Sequence, residues 1–477
     1  MRLARAFKRK HSCESPYTQI ITSELFDQLA AIVGRQNVET DPKDDYAHDE
    51  ALGLEPERPL AVVWPSSTEE VRAVVELARR SRTPLTARGS GTGLAGACIP
   101  RADGLVLSFE HMCEIIEIDD ENHVAVVQPG VTLTQLDAAT LLHGLVYPVF
   151  PGEQGASLGG NVATNAGGMR AVKYGVTRHQ VLGLEAVLGT GEVVRAGGKF
   201  VKATAGYDLT QLIVGSEGTL AIVTEAIVRL YPRPAHSATI LAPFSSLAEI
   251  TGAVPRIVAS GIGPLMVEYI DLLTMVAITR DQNLELGVPK EVREAALAYL
   301  VVVLEQNRED RLGEDVEQVA ELVAELGAID VYVLPPSAGS QLIAARERAF
   351  WVAKAAGADD ILDVVVPRAE IASFMEEVAA VASATSSFVS GCGHAGDGNV
   401  HMSVFQPDSA LRKDVTTRIL EAGMRRGGAI SGEHGIGLGK KAYLAALEDP
   451  AKLALWRRIK SAFDPQNILN PGAIFDP

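Results

Sequence analysis

The chain has 477 residues, 47% hydrophobic and 22% charged, which suits two or three globular domains of ~150 residues and excludes a disordered chain, a collagen or a coiled-coil rod. The formal net charge of −17 argues against a phosphate-backbone partner, and no apolar run approaches the ~20 residues needed to cross a bilayer. Cys13, Cys98, Cys113 and Cys392 are scattered without CxxC spacing, so a disulfide framework, a Cys-rich zinc site and a cysteine-ligated iron–sulfur cluster all lack ligands.

The first stretch is basic (Arg2, Arg5, Lys8, Arg9, Lys10) and no apolar segment follows it, which excludes a secretory signal. It reads as a solvated tail, with a mitochondrial presequence as the alternative. Ser23 to Ala31 is a predicted helix stopped by Gly34, and proline and charge then mark a linker to Pro59. A strand at Ala61–Trp64, a helix capped by Ser67-Thr-Glu-Glu70 and running through Arg80, and a strand at Pro84–Ala87 follow. Further strands fall at Leu105–Ser108 and His123–Val127, with a second capping box, Thr132-Leu-Thr-Gln135, opening a helix that ends at Gly144. This glycine-rich α/β region runs to Pro234. Residues 235–425 alternate helices (Leu247–Ser260, Val316–Leu326, Ser337–Ala356, Glu370–Ala384) with strands (Tyr299–Leu304, Ile329–Leu334, Ile361–Val366, Phe388–Gly391), an α+β second domain. Glycine becomes frequent again after Gly427.

Residues 88–96 read RGSGTGLAG, and Gly91, Gly93 and Gly96 fit the dinucleotide fingerprint G-x-G-x-x-G. That fingerprint needs a helix opening at the loop to hold the pyrophosphate. Here Pro100 and Gly104 follow and the next element is a strand, so the Rossmann reading fails. What remains is a loop of small residues whose N–H groups can cradle phosphate oxygens. Pro151–Gly168 (PGEQGASLGGNVATNAGG) and Gly215–Ile222 (GSEGTLAI) are two more such segments, and three in one region point to a single extended ligand bearing phosphates.

These loops, with MRAVKYG after the second and VTE after the third, resemble the FAD-binding domain of the vanillyl-alcohol oxidase/p-cresol methylhydroxylase type. Within it the chain is similar to the D-2-hydroxyacid dehydrogenases that oxidise D-lactate, D-2-hydroxyglutarate or glycolate, from about Pro56 to Phe475. The resemblance implies an α+β fold: a two-subdomain FAD-binding domain over 56–234 and an antiparallel-sheet cap domain flanked by helices over 235–425. Residues 1–55 form the tail, helix and linker, and 426–477 return to the flavin. It also implies that Arg88, Gly89, Ser90, Gly91, Thr92 and Gly93 hold the pyrophosphate. Pro151, Gly152, Ser157, Gly159, Gly160, Thr164, Asn165, Gly167, Gly168, Tyr174, Gly175, Glu217, Gly218 and Ile222 would line the flavin and adenine, and Asn470 would touch the flavin. Positions 88–96 offer no His or Cys for a covalent link, so noncovalent FAD is expected.

Near the C-terminus, Phe388–His394 and Asn399–Phe405 are strand-like runs around Ala-Gly-Asp-Gly, a tight-turn sequence that lets His394 and His401 meet across a hairpin. Glu433 in SGEHGIG can join them. Two imidazoles and a carboxylate suit Zn²⁺ or Mn²⁺ with an open position. The plainer alternative has each as an ordinary hydrogen-bonding residue. The same family resemblance implies His394, His401 and Glu433 as metal ligands, His434 as base, and Arg346, the first Arg of AARERAF, as the clamp on the substrate carboxylate. A solvated arginine is the rival reading of Arg346, because Arg348 is next door.

Where the 2-hydroxyglutarate enzymes have a lysine for the second carboxylate, this chain has Ile361, and Phe350 stands where they carry a small hydroxyl residue. An unpaired buried carboxylate is costly, so a lactate-like monocarboxylate, or one with an apolar tail, is the expected substrate. The electrons then pass to a separate acceptor: an electron-transfer protein, an iron–sulfur subunit or a quinone. An FAD-dependent transferase like the alkylglycerone-phosphate synthases, a D-2-hydroxyglutarate dehydrogenase, and a flavin-free metal hydrolase are the competing readings. A cytoplasmic enzyme is expected, peripheral at the inner membrane face or in a mitochondrial matrix as variants, and a homodimer is left open.

Overall fold

A computed structural model describes residues 16–476, with side chains from residue 23 onward. The basic stretch and its presequence alternative, and Cys13, lie outside the described residues.

The region read as α/β divides into two small sheets and a two-stranded pairing of Leu145–Val146 with Tyr231–Pro232. The first orders its strands Val38–Glu39, Ala61–Val63, Leu105–Ser108 and Leu85–Arg88, the last three parallel. Its crossover helix Thr68–Ser81 begins where expected: Ser67 Oγ accepts from the Glu70 amide, and Glu70 reaches back to the amide of Ser66. Such a cap is worth about 1 kcal/mol. Val71, Val74, Val75 and Ala78 recur at helical spacing and are fully buried against the sheet. The second sheet is wholly antiparallel, ordered Ile115–Asp119, Val124–Val127, Ala221–Arg229, Val181–Leu188, Val193–Gly197. Its covering helix Leu133–Leu141 carries the full reciprocal box between Thr132 and Gln135.

Residues 236–405 build a seven-stranded antiparallel sheet ordered Tyr332–Leu334, His236–Phe244, Ala298–Gln306, Met266–Asp271, Phe388–His394, Asn399–Phe405, Asp360–Val365. Strand alternation gives it two unlike faces. Val267, Tyr269, Leu362, Val364, Val400, Met402 and Val404 point into one core beneath helices Leu247–Ala259, Ile371–Ala384 and Ser409–Arg425. The intervening residues point the other way, most of them against helices Leu272–Asp281 and Pro336–Glu347 and those around His394 and His401 toward the glycine loops. One predicted helix, Ser337–Ala356, is two: Pro336–Glu347 and Ala349–Ala355, broken at Arg348.

The C-terminal stretch runs back to the first sheet. Helix Pro450–Phe463 brings Lys460 onto the carbonyls of Thr219 and Leu469, and Leu469 bridges Leu85. No helix among the described residues is long and apolar enough to cross a membrane.

Candidate active site

Three adjoining cavities run from among the glycine loops to the open face of the seven-stranded sheet, which only the third reaches. The innermost is bordered by Arg88, Gly89, Gly159, Gly160, Thr164, Glu217, Gly218 and Ile222. The next is lined by Gly89–Gly93, Pro151, Gly152, Ser157, Gly160, Thr164 and Gly167. The third, of about 320 Å³, shares Pro151, Gly152, Glu433 and His434 with the second and adds Gly168, Arg346, His394 and His401. The trench is thus continuous.

Two hydrogen bonds lace its first two loops together: the Ser90 amide donates to Ser157 Oγ, and the Ser157 amide to Ser90 Oγ. Backbone packing is close enough that only glycine fits at key points. A Cβ on Gly159 would meet the Pro129 carbonyl at 2.9 Å, and one on Gly168, whose φ is +127°, would meet the Phe150 backbone carbonyl carbon at 2.6 Å. The Asn161 amide nitrogen, which sequence reasoning missed, is buried in the wall without a partner. A buried donor of that kind calls for an acceptor on a ligand. Glycine-backed walls, paired hydroxyls and a free donor fit a phosphate-bearing flavin nucleotide.

Other candidates hold the trench in shape. The Arg88 guanidinium donates to the carbonyls of His48 and Asp45 at 2.7 Å. Glu217 accepts from the amides of Ile436 and Gly437, and Asn470 donates to the carbonyls of Ala97 and Glu217. Asn165 accepts from the Arg178 amide, and Tyr174 donates to Glu305. Asn165, Tyr174, Gly175 and Asn470 do not line these cavities, and the Asn470 amide expected at the flavin is spent on backbone carbonyls.

The histidines sit on the sheet for a simple reason. Cys392 pairs with His401 and His394 with Asn399, so His394 and His401 share one face on a diagonal, with ring centroids 4.8 Å apart. His394 Nε2 and His401 Nε2 lie 3.4 and 3.2 Å from Glu433 Oε1. Tetrahedral ligands at roughly 2.1 Å from a zinc ion stand about 3.4 Å apart, so the donor set fits a metal. A second grouping, Asp363–His401–His434, is also close enough. Asp363 is already engaged: Oδ2 accepts from Ser431 Oγ and the amides of Gly432, Glu433 and His434, and Oδ1 from Asn399. Asp363 therefore folds the SGEH turn, and Glu433 is the better ligand.

Charge is dense here. Burial disfavours a protonated His394, yet the Glu268 and Glu433 carboxylates outweigh it and hold its pKa well above the usual histidine value. Glu433 is likewise held far below the usual carboxylate range, its burial outweighed by the His394 and His401 imidazoles. His434 behaves oppositely: burial, joined by the Lys440 and His401 charges, pushes it down to about 4. It stacks on His401 at 5.1 Å, and its Nδ1 has no hydrogen-bond partner, with Asp363 Oδ2 3.9 Å away.

Glu268 was not foreseen. It lies on Met266–Asp271, directly across from His394, is fully buried, and takes His394 Nδ1 at 2.7 Å. Its other oxygen is 3.0 Å from Arg346 Nη2, without hydrogen-bond alignment. Arg346 Nη2 is thus ion-paired with Glu268 and its Nε is buried without a hydrogen-bond partner, while the neighbouring Arg348 is exposed and paired with Asp281. Glu268 fixes the His394 ring by holding the nitrogen turned away from the ligand cluster. For a metal held by this cluster, Glu268→Gln is expected to weaken binding by 10–100-fold, the usual cost of losing such a partner, with the flavin retained. Zinc or manganese titration of the FAD-loaded variant checks this; unchanged affinity removes the positioning role.

Comparison with known proteins agrees with this geometry. Residues 59–197 match the family described as "FAD binding domain", and residues 233–474 match "FAD linked oxidases, C-terminal domain". The chain is 53% identical over 95% of its length to an uncharacterized FAD-linked oxidoreductase of Mycobacterium tuberculosis, covering 99% of that protein. It is 37% identical, over 95% of its length and 98% of the relative, to a D-lactate dehydrogenase of Anaerostipes hadrus. Among solved structures, substrate-bound p-cresol methylhydroxylase superposes with a TM-score of 0.79 at 19% identity, over 96% of this chain and 98% of the other. The trench, the two matched domains and these relatives together make this chain a member of the FAD-linked oxidases, an FAD-linked oxidoreductase with the vanillyl-alcohol oxidase/p-cresol methylhydroxylase fold.

Proposed function

We propose that the protein oxidises a D-2-hydroxy monocarboxylate to the 2-oxoacid, with noncovalent FAD and a divalent metal on His394, His401 and Glu433. One observation carries the reading: Arg346, the histidine–carboxylate cluster and His434 converge on a cavity continuous with the flavin trench. The chemistry the bound groups supply is hydride acceptance by FAD and Lewis-acid polarisation of the hydroxyl by the metal.

The chain's own residues do the rest. Arg346, its guanidinium held beside the Glu268 carboxylate, binds the substrate carboxylate and so orients C2. His434, neutral because it is buried, takes the hydroxyl proton. With Nδ1 turned toward Asp363, Nε2 is the accepting nitrogen, and the imidazolium formed faces a carboxylate. Met169 and Phe350 on the cavity wall exclude water. Cys98, which lines the trench, has its thiol pushed up to about 12 by burial and the Asp49 charge, so it is a poor nucleophile and supports a noncovalent flavin. The electrons leave to a separate electron-transfer protein, iron–sulfur subunit or quinone.

Ile361 lines the cavity, and Arg346 is the sole Lys or Arg on its wall among the described residues. D-lactate is therefore expected to exceed D-2-hydroxyglutarate in kcat/KM. Ile361→Lys should narrow that gap by ~1–3 kcal/mol, the range for a charge-assisted hydrogen bond. Flavin bleaching under anaerobic conditions measures both, and wild-type preference for the dicarboxylate contradicts the assignment. That outcome favours the alternative, a D-2-hydroxyglutarate dehydrogenase.

A further inference from the structure

The charged and imidazole groups of the 320 Å³ cavity are gathered at one end, and beyond them the wall is apolar apart from the hydroxyls of Thr274, Ser390 and Ser403. Its floor is the open sheet face, read in rows across three strands. Cys392, His401 and Asp363 form the polar row; Ser390, Ser403 and Ile361 the next; Phe388 and Phe405 the last, with rings 5.3 Å apart. At 3.3–3.4 Å per residue, His401 to Phe405 spans about 13 Å, enough for an apolar chain of roughly six to eight carbons. The roof comes from two helices: Leu272–Asp281 supplies Leu273, Ala277 and Ile278, and Ala349–Ala355 supplies Phe350 and Ala353. Two of the three hydroxyls on the wall are satisfied within the protein: Thr274 contacts Ser390, whose Oγ donates to Asp271, and Ser403 is the third. Exposure rises along the cavity, from 7% at Arg346 to 47% at Phe388 and 54% at Leu273, where it meets solvent.

The cavity runs two rows of the sheet beyond the polar groups, farther than a three-carbon acid reaches. Resting on the proposed anchoring of carboxylate and hydroxyl at the polar end, we infer that the substrate is a D-2-hydroxy acid with an extended apolar chain or an aromatic group beyond C3. The tail lies over Ser403 and Ile361 and ends between Phe388 and Leu273. Lactate leaves this channel unfilled.

The test is anaerobic flavin reduction of the FAD- and zinc-loaded protein by glycolate, D-lactate, D-2-hydroxybutyrate, D-2-hydroxyhexanoate, D-2-hydroxyoctanoate and D-phenyllactate. The specificity constant should rise about fourfold per added methylene, equivalent to ~0.8 kcal/mol, until the tail reaches solvent. Ala353→Leu, which narrows the roof, should lower the octanoate-to-lactate ratio at least tenfold; its flavin spectrum reports that the variant is folded. Lactate or glycolate equalling the longer acids overturns this inference and leaves the proposed reaction standing. No reduction by any member of the series overturns the proposed reaction as well.

Discussion

Replacing His394 or His401 by Ala is expected to abolish metal binding and lower turnover by about 10³-fold, the several kcal/mol that a Lewis-acid metal contributes. The two imidazoles reach Glu433 Oε1 from adjacent strands, so loss of either leaves only two ligands. FAD should stay bound, because the glycine loops belong to a different part of the chain. Chelation of the wild-type protein should reproduce the variants, with activity restored by Zn²⁺ or Mn²⁺. Metal analysis alongside the flavin spectrum separates the two effects. Full turnover by a demonstrably metal-free protein would leave the histidines with a structural role alone.

The second large effect is expected at His434. His434→Asn should reduce kcat by about 10²–10⁴-fold, the range for removing a positioned general base. Metal content and substrate affinity should change little, since Glu433 and Arg346 are retained and Asp363 still holds the turn through the backbone amides of residues 432–434. Rapid-reaction kinetics, with the flavin-reduction rate measured apart from substrate binding, gives the two numbers. An unchanged reduction rate assigns the proton to another group.

Much of this arrangement was legible in local sequence. The caps at Ser67 and Thr132 and the hairpin strands Phe388–His394 and Asn399–Phe405 fall where side-chain chemistry placed them, because each depends on residues within a few positions. The histidines share a face because strand alternation guarantees it once the hairpin forms. Other features need the folded sheet. Glu268 sits mid-strand between apolar neighbours, and its partner His394 is 126 residues away. Asp363 reads as one acid before a valine run, yet it organises a turn 68–71 residues downstream. The break at Arg348 was missed because AARERAFWVAKA contains no glycine or proline to mark it. Residues two apart on a helix face nearly opposite ways, so Arg346 and Arg348 diverge, but two adjacent charges give no sign of which one faces the sheet. The antiparallel second sheet was likewise hidden, since its order follows from pairings between residues about 100 apart, such as Ala226 with Val127.

The account is tested most directly by the visible spectrum of the FAD- and metal-loaded protein under anaerobic conditions as D- and L-2-hydroxy acids are added. It predicts that the flavin band bleaches with the D enantiomer and not the L, and that acid precipitation leaves the flavin in the supernatant. A loaded protein whose flavin stays oxidised with every D-2-hydroxy acid would contradict it.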